Sequence, residues 1–112
     1  MLFRSRHLDV LRRSARSVWP ASFGWNHTLC HGDLGCWEVV QEAISAGVGP
    51  AGLHRRELDA HVIGGLEEFG AVSGLARDAF SPGLLPGLGG VAYQLLRMHP
   101  ASDLPSVLLP HA

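Results

Sequence analysis

The sequence predicts an all-α protein, built as an array of helix pairs joined by glycine-rich turns. Apolar residues recur at three- and four-residue spacing in four separate stretches, which is the periodicity of amphipathic helices. The 14 glycines cluster mainly between these stretches. A glycine turn followed by an apolar helix also occurs twice, with Gly32 and Gly87 at equivalent places. Such a repeat predicts an α/α array, and one unit cannot bury its apolar faces alone.

The first two predicted helices flank a loop. The stretch from His7 to Val18 is helical by spacing and ends before Pro20, because proline disfavours helix in the residue before it. Residues from Ala21 to Thr28 form the loop, and the second helix follows Gly35 as Cys36 to Ile44. The apolar stripes are Leu8, Leu11, Ala15 and Val18 in the first helix, and Trp37, Val40 and Ile44 in the second.

The third predicted helix covers His54 to Phe69. Its Gly64-Gly65 pair lowers helix stability by about 1 kcal/mol per glycine relative to alanine, so we expect either close packing there or a break. An irregular stretch, Gly70 to Phe80, precedes the fourth helix, Val91 to Met98, and the chain closes with a short extended tail, Leu104 to Leu109. The stripes are Leu58, Val62, Leu66 and Phe69, then Val91, Leu95 and Met98.

Composition excludes several classes of protein. With 46% hydrophobic residues the chain is not a disordered tail, and a net charge of −1 gives no general attraction to nucleic acid. The five arginines before Ser17 favour a solvated helix face over a basic docking surface. No apolar run reaches the ~18 residues that span a bilayer, and we find no signal peptide. We therefore expect a cytoplasmic protein whose two cysteines are reduced.

Candidate ligand residues lie in the first glycine turn. Cys30 and His31 combine the two best protein ligands for zinc, although adjacent Cys-His is a weak metal signal and cysteine is also a common buried filler. Cys36 is interpreted as a packed thiol, and His27 as a solvated or capping residue. Asp33, just ahead of a helix, is an N-cap or first-turn acid. Four further histidines are expected at the surface: His54, His61, His99 and His111.

Three blocks of sequence resemble the cyclase domains of lanthionine synthetases, called LanC-like. Trp25 to Gly35, W-N-H-T-L-C-H-G-D-L-G, resembles their N-H-S-L-C-H-G-D-L-G-N. Ser81 to Arg97, S-P-G-L-L-P-G-L-G-G-V-A-Y-Q-L-L-R, resembles T-P-G-L-M-x-G-L-A-G-I-G-Y-x-L-L-R, and Leu104 to Leu109 resembles V-P-S-V-L-L-L. The nearest likeness is the C-terminal domain of type 2 (LanM-type) lanthipeptide synthetases, and it covers about residues 8–109.

The resemblance implies an α/α toroid with zinc at its centre. Residues 1–112 would be a C-terminal fragment of that domain, holding the last two or so repeats. In the family, a zinc-bound cysteine thiolate of a lanthipeptide precursor peptide adds to dehydroalanine or dehydrobutyrine, which forms a (methyl)lanthionine ring. Cys30 and His31 match the paired zinc ligands of the family, and Asp33 is expected to orient their loop.

The chain also departs from the family. The third zinc ligand of the family is a cysteine in an earlier repeat, and the acid/base residues and the dehydratase domain also lie upstream. Cys36 stands where the family usually has asparagine, which makes it a possible replacement ligand. Three interpretations stay open: part of a complete enzyme that needs the missing N-terminal part or self-association, a non-catalytic module that binds a peptide or protein, and a truncated gene product without function.

Overall fold

The computed structural model of the chain describes residues 2–29, 32–71, 82–85 and 87–108. Within those ranges the chain forms four helices and no strand. The predicted all-α class is confirmed, and each predicted helix has an observed counterpart, whereas the toroid and the fragment assignment stay predictions. The helices are α1 (Leu2–Val18), α2 (Asp33–Ser45), α3 (Arg55–Phe69) and α4 (Leu88–Met98).

Helices α2 and α4 each begin three residues earlier than predicted, at Asp33 and Leu88. Their glycines lie on both sides of the helix start, since Gly32 and Gly87 are the N-cap residues and Gly35, Gly89 and Gly90 lie in the first turns. α1 also begins earlier, at Leu2. Residues 70 and 71 are irregular as predicted, and the remainder of that predicted stretch, 72–80, lies outside the described residues.

The two glycine turns share two backbone features within the described residues. The N-cap Gly32 has φ −115° and ψ −168°, and the N-cap Gly87 has φ −116° and ψ −172°. Three residues further on in each turn, the backbone N–H donates to the carbonyl seven residues back. The N···O distance is 3.3 Å both for Gly35 to Thr28 and for Gly90 to Gly83. The internal repeat inferred from sequence is therefore a repeat of structure.

Helix α2 lies at the centre of the core and packs against both α1 and α3. Trp37 and Val40 of the predicted stripe are buried and Ile44 is partly buried, while Leu34 and Ala43 add to the buried apolar face. Phe69 departs from its prediction. It was assigned to the apolar stripe of α3, but it is 69% exposed because it is the last residue of the helix. The core consists of Phe23, Leu29, Leu34, Trp37, Val40, Leu58, Val62, Val91 and Met98.

Trp37 connects the helices around this core. It is 2% exposed, and its indole Nε1–H donates to Asp59 Oδ1 of α3 at 2.6 Å. The guanidinium carbons of Arg55 and Arg97 lie 5.2 and 5.9 Å from the indole centroid, within cation–π range. Gln94, fully buried on α4, donates to the carbonyl of Leu34 on α2 at 3.1 Å. The two repeats are therefore joined by polar contacts inside an apolar core.

A buried ion pair holds the C-terminal tail. The Arg97 guanidinium contacts the carboxylate of Glu38 on α2, and burial lowers the pKa of Arg97. Ser106 Oγ donates to the same carboxylate at 2.9 Å, and Arg97 Nε donates to the carbonyl of Leu104 at 3.1 Å. Tyr93 adds a hydroxyl hydrogen bond to a tail carbonyl. The extended tail is thereby anchored to both repeats.

No helix among the described residues has the length and apolar character needed to cross a membrane.

Candidate functional site

The candidate ligands Cys30 and His31 lie outside the described residues, but the chain on either side of them is well defined. The N–H groups of Gly32 and Gly35 both donate to the carbonyl oxygen of Thr28, at 3.1 and 3.3 Å. Thr28 is fully buried, so these two hydrogen bonds are protected from water. The backbone on both sides of the Cys-His pair is thus tied to one carbonyl group.

The absence of a side chain at Gly32 and Gly35 makes these hydrogen bonds possible. A Cβ on Gly32 would overlap the side-chain oxygen of Asn26 and the backbone nitrogen of Thr28, and a Cβ on Gly35 would overlap the carbonyl oxygen of Leu29. Asn26 Oδ1 also accepts the N–H and the hydroxyl of Thr28, at 3.0 and 2.6 Å. The Asn-His-Thr and Gly-x-x-Gly segments therefore form one interlocked loop, which any larger residue at the glycines would disrupt.

Asp33 fastens this loop to α2. It is the first residue of the helix and is only 3% exposed. Its Oδ1 accepts the backbone N–H of Gly24 at 2.8 Å, and its own N–H donates to the carbonyl of Asn26 at 2.7 Å. Of the two roles expected for Asp33, the structure shows the first-turn acid, since the N-cap is Gly32. A carboxylate there also interacts favourably with the helix dipole.

His27 departs from its prediction. Expected to be solvated or capping, it is 4% exposed and packs against α3. A Cβ built on Gly65 would lie 3.3 Å from His27 Nε2, so the glycine makes room for the imidazole. Burial lowers the pKa of His27, and the nearby Asp33 carboxylate opposes that shift. The close packing expected at the glycine pair of α3 is thus found at Gly65, whereas Gly64 meets nothing within 4 Å.

Cys36 is partly buried against the core, as a packed thiol. Its Sγ lies 3.8 Å from the carbonyl oxygen of Ser22, and burial raises its pKa, with the Asp33 charge acting in the same direction. A raised pKa keeps the thiol protonated, which disfavours the thiolate that metals bind. Among the residues that the structure describes, no group of three or more histidine, cysteine or acidic side chains could hold a metal.

The four histidines expected at the surface differ in their contacts. His54 and His99 are exposed, as predicted, and His111 lies outside the described residues. His61 is also exposed, yet its ring makes edge contacts with Trp19 and Phe23, at centroid distances of 5.1 and 5.3 Å. These contacts pack α3 against the end of α1 and the start of the loop.

An open cavity of about 570 Å³ lies between the loop and α3, which is within the usual size of ligand sites, roughly 300–1,000 Å³. Its rim carries two prominent exposed aromatic side chains, Trp25 at 80% and Phe69 at 69% exposure. We did not predict this cavity from the sequence; the one available signal was an aromatic residue in a polar loop. Its walls include Trp25, His27 and Asp33 on the loop side and Gly64, Gly65, Glu68 and Phe69 on α3.

Comparison with known proteins agrees with the three sequence blocks. The family profile described as lanthionine synthetase C-like protein matches residues 4–109, nearly the whole chain. No curated protein and no solved structure matches the chain. The matched region contains all four helices except the first residues of α1, together with the interlocked loop and the tail. The chain therefore belongs to the lanthionine synthetase C-like protein family.

Proposed function

We propose that this chain forms the end of a zinc-dependent lanthionine cyclase, in which Cys30 and His31 are two of the metal ligands. Membership of the family implies a lanthionine synthetase-type function that acts on peptides. The finer proposal is ring formation in a lanthipeptide precursor, within the C-terminal domain of a type 2 synthetase in the cytoplasm. Upstream repeats would then complete the toroid.

The observation that carries the proposal is the shared carbonyl of Thr28. It accepts the N–H groups of Gly32 and Gly35. Hydrogen bonds therefore join the residues before the Cys-His pair to the residues after it. Ligands on a preorganised turn lose less conformational entropy when a metal binds. The Asp33 carboxylate supports the same loop through Gly24.

Cys30 and His31 are residue types that zinc prefers, but two protein ligands are fewer than a zinc site needs. A thiolate and an imidazole are both preferred zinc ligands, and a catalytic zinc site normally has three protein ligands with one open position. When bound, zinc would lower the pKa of a peptide cysteine thiol and so supply the thiolate that adds to dehydroalanine or dehydrobutyrine. We propose that the third ligand comes from an upstream part of the synthetase. The packing of the Cys36 thiol against the core and the carbonyl oxygen of Ser22 argues against its serving as the replacement.

A cobalt(II) titration tests the ligand assignment, because a cobalt-bound thiolate gives a charge-transfer absorption that reports sulfur ligation directly. With two protein donors we expect weak binding, with a dissociation constant well above those of complete zinc sites. We expect the absorption to disappear in Cys30→Ala and to weaken strongly in His31→Ala.

Cys36→Ala is the matched control, since it removes the other thiol of the chain. It should leave the cobalt spectrum unchanged. A spectrum that survives Cys30→Ala and disappears in Cys36→Ala would contradict the assignment. So would the absence of any thiolate absorption at saturating cobalt.

A non-catalytic module that binds a peptide or protein is the second candidate. It is favoured by the exposure of large apolar side chains, among them Trp25 and Leu96 at 80% and 63%. Exposed apolar patches often mark interaction surfaces. The two candidates differ in their need for metal: chelation should abolish cyclisation but leave simple peptide binding intact.

A further inference from the structure

We propose that the cavity between the loop and α3 is a subsite for a cationic side chain, arginine or lysine, of a peptide. This inference rests on the peptide-processing function proposed above and adds a substrate preference to it. Three features of the cavity lead to it: the charge of its walls, the aromatic residues at its rim and the open space above Gly64.

The charge of the cavity is negative. Asp33 lies in its wall and Glu68 contributes a second carboxylate from α3, while no arginine occurs among the described residues that line it. The chain contains no lysine at all. Asp33 is 3% exposed, so its charge acts in a region of reduced dielectric, where attraction to a cation is stronger than in bulk water.

The rim supplies two aromatic faces. Trp25 and Phe69 come from different parts of the chain, line the same cavity and are 80% and 69% exposed. Large aromatic side chains at this exposure contribute nothing to the core, but their π faces attract guanidinium and ammonium groups. Two aromatic residues beside a carboxylate are the composition expected of a site for an organic cation.

The floor of the cavity allows close approach. The His27 imidazole fills the space beside Gly65. A Cβ at Gly64, by contrast, would meet none of the described residues within 4 Å. Gly64 therefore lowers the stability of α3 without any packing gain from the residues that the structure describes. A peptide segment lying over this part of α3 would account for the missing side chain.

A free peptide fits these features better than a second copy of the chain. The N-terminal arginines of a second copy are the main alternative source of cations. Two of them, Arg12 and Arg13, are already paired with Asp9 on their own helix, at 3.6 and 3.2 Å. For these two arginines, entry into the cavity of another copy would compete with an existing ion pair, which a free peptide arginine does not have.

The experiment compares two capped pentapeptides, Gly-Gly-Arg-Gly-Gly and the same peptide with citrulline, which has nearly the same shape as arginine but no charge. Binding is followed by the backbone amide NMR shifts of Gly24, Gly64 and Gly65 in metal-free protein. We expect millimolar affinity for the arginine peptide, about two- to fivefold weaker binding of the citrulline peptide, and weaker binding at higher salt.

Matched variants locate the site. Glu68→Gln should weaken binding of the arginine peptide about two- to fivefold, whereas Glu67→Gln, its exposed neighbour on α3 outside the cavity, should have no effect. Trp25→Ala should weaken it similarly, and Leu96→Ala, an exposed apolar residue on α4, should not. All four changed residues are exposed, so folding should be retained.

Equal affinity for the two peptides, or shifts confined to other parts of the protein, would overturn the proposal. If the same shifts appear without peptide when the protein concentration is raised about tenfold, a second copy is the occupant and the proposal fails. Repeating the titration in Cys30→Ala separates the two proposals. Binding should persist in that variant, whatever the outcome of the cobalt experiment.

Discussion

The imidazole of His27 lies directly over Gly65 of α3, where a Cβ on the glycine would come within 3.3 Å of Nε2. This contact joins the loop before the proposed ligands to the middle of a helix that is distant in sequence. It also gives the two adjacent glycines of α3 different roles. Gly65 makes room for His27, whereas Gly64 makes room for none of the residues in the described ranges.

Alanine at these two glycines should therefore have different effects. Both changes remove an unfavourable glycine from a helix, which is favourable by roughly 0.5–1 kcal/mol. We expect Gly64→Ala to raise the free energy of unfolding by about that amount, and Gly65→Ala to raise it less or to lower it, because its methyl group displaces His27. Urea unfolding of both variants measures the difference, and equal stabilisation would contradict the packing of His27 on Gly65.

The glycine turns should tolerate no side chain. A Cβ on Gly35 would overlap the carbonyl oxygen of Leu29, and one on Gly90 would overlap that of Leu84. Since backbone cannot yield as a flexible side chain can, we expect either alanine variant to lower the free energy of unfolding by about 2 kcal/mol or more. Urea unfolding checks this, with Gly64→Ala as the control that adds the same methyl group in open space. Wild-type stability in either turn variant would contradict the close backbone contact at that glycine.

The pair of Glu38 and Arg97 should contribute strongly to stability. Their side chains are 4% and 13% exposed, and removing one partner leaves the other charge buried. We expect Glu38→Gln or Arg97→Met to lower the free energy of unfolding by about 3 kcal/mol. Arg12→Met is the control, because that arginine is half exposed and its ion pair should contribute at most about 1 kcal/mol. Urea unfolding that gave similar losses for Arg12 and Arg97 would argue against the buried pair.

His27 should make stability depend on pH. Burial lowers its pKa below the ordinary value of 6.5, so the unfolded chain binds a proton that the folded chain resists. The free energy of unfolding should therefore be unaffected by this residue above pH 6.5 and should fall as the pH drops below 6.5, until the folded state also takes up the proton. Above that window the neutral imidazole is present in both states.

Urea unfolding of metal-free protein at pH 7.5, 6.5 and 5.5 measures this effect. His27→Gln should show a smaller loss of stability between pH 6.5 and 5.5 than the wild type. His99→Gln removes an exposed histidine and should retain the wild-type pH dependence. An identical slope in the wild type and in His27→Gln would mean that His27 is not responsible.

Periodicity predicted the four helices because each has an apolar stripe. It also placed the last residues of α1, α3 and α4, but it missed the beginnings of α1, α2 and α4. The glycines at positions 35, 89 and 90 look like turn residues, yet they lie in the first turns of α2 and α4. They are needed there for close contact with backbone elsewhere in the same turn. That contact depends on three-dimensional structure, which glycine spacing alone does not encode.

The site was predictable only in part. The first-turn position of Asp33 follows from its place ahead of a helix, but the burial of His27 depends on a glycine in α3, far along the sequence. The cavity depends on the same long-range packing, since Trp25 and Phe69 approach it from different elements. No local pattern links these residues. The assignment of Cys30 and His31 stays a prediction that the cobalt titration can test.

The contrast between Trp25 and Trp37 has a practical consequence for optical experiments. The emission of an indole follows the polarity of its surroundings, and these two indoles differ from 80% to 2% in exposure. Trp37 should therefore emit as a buried chromophore that changes on unfolding, and Trp25 as a solvated one that changes when the cavity is filled. A Trp25→Phe variant would leave the emission of Trp37 and of the partly buried Trp19, so that comparison with the wild type separates cavity occupancy from unfolding.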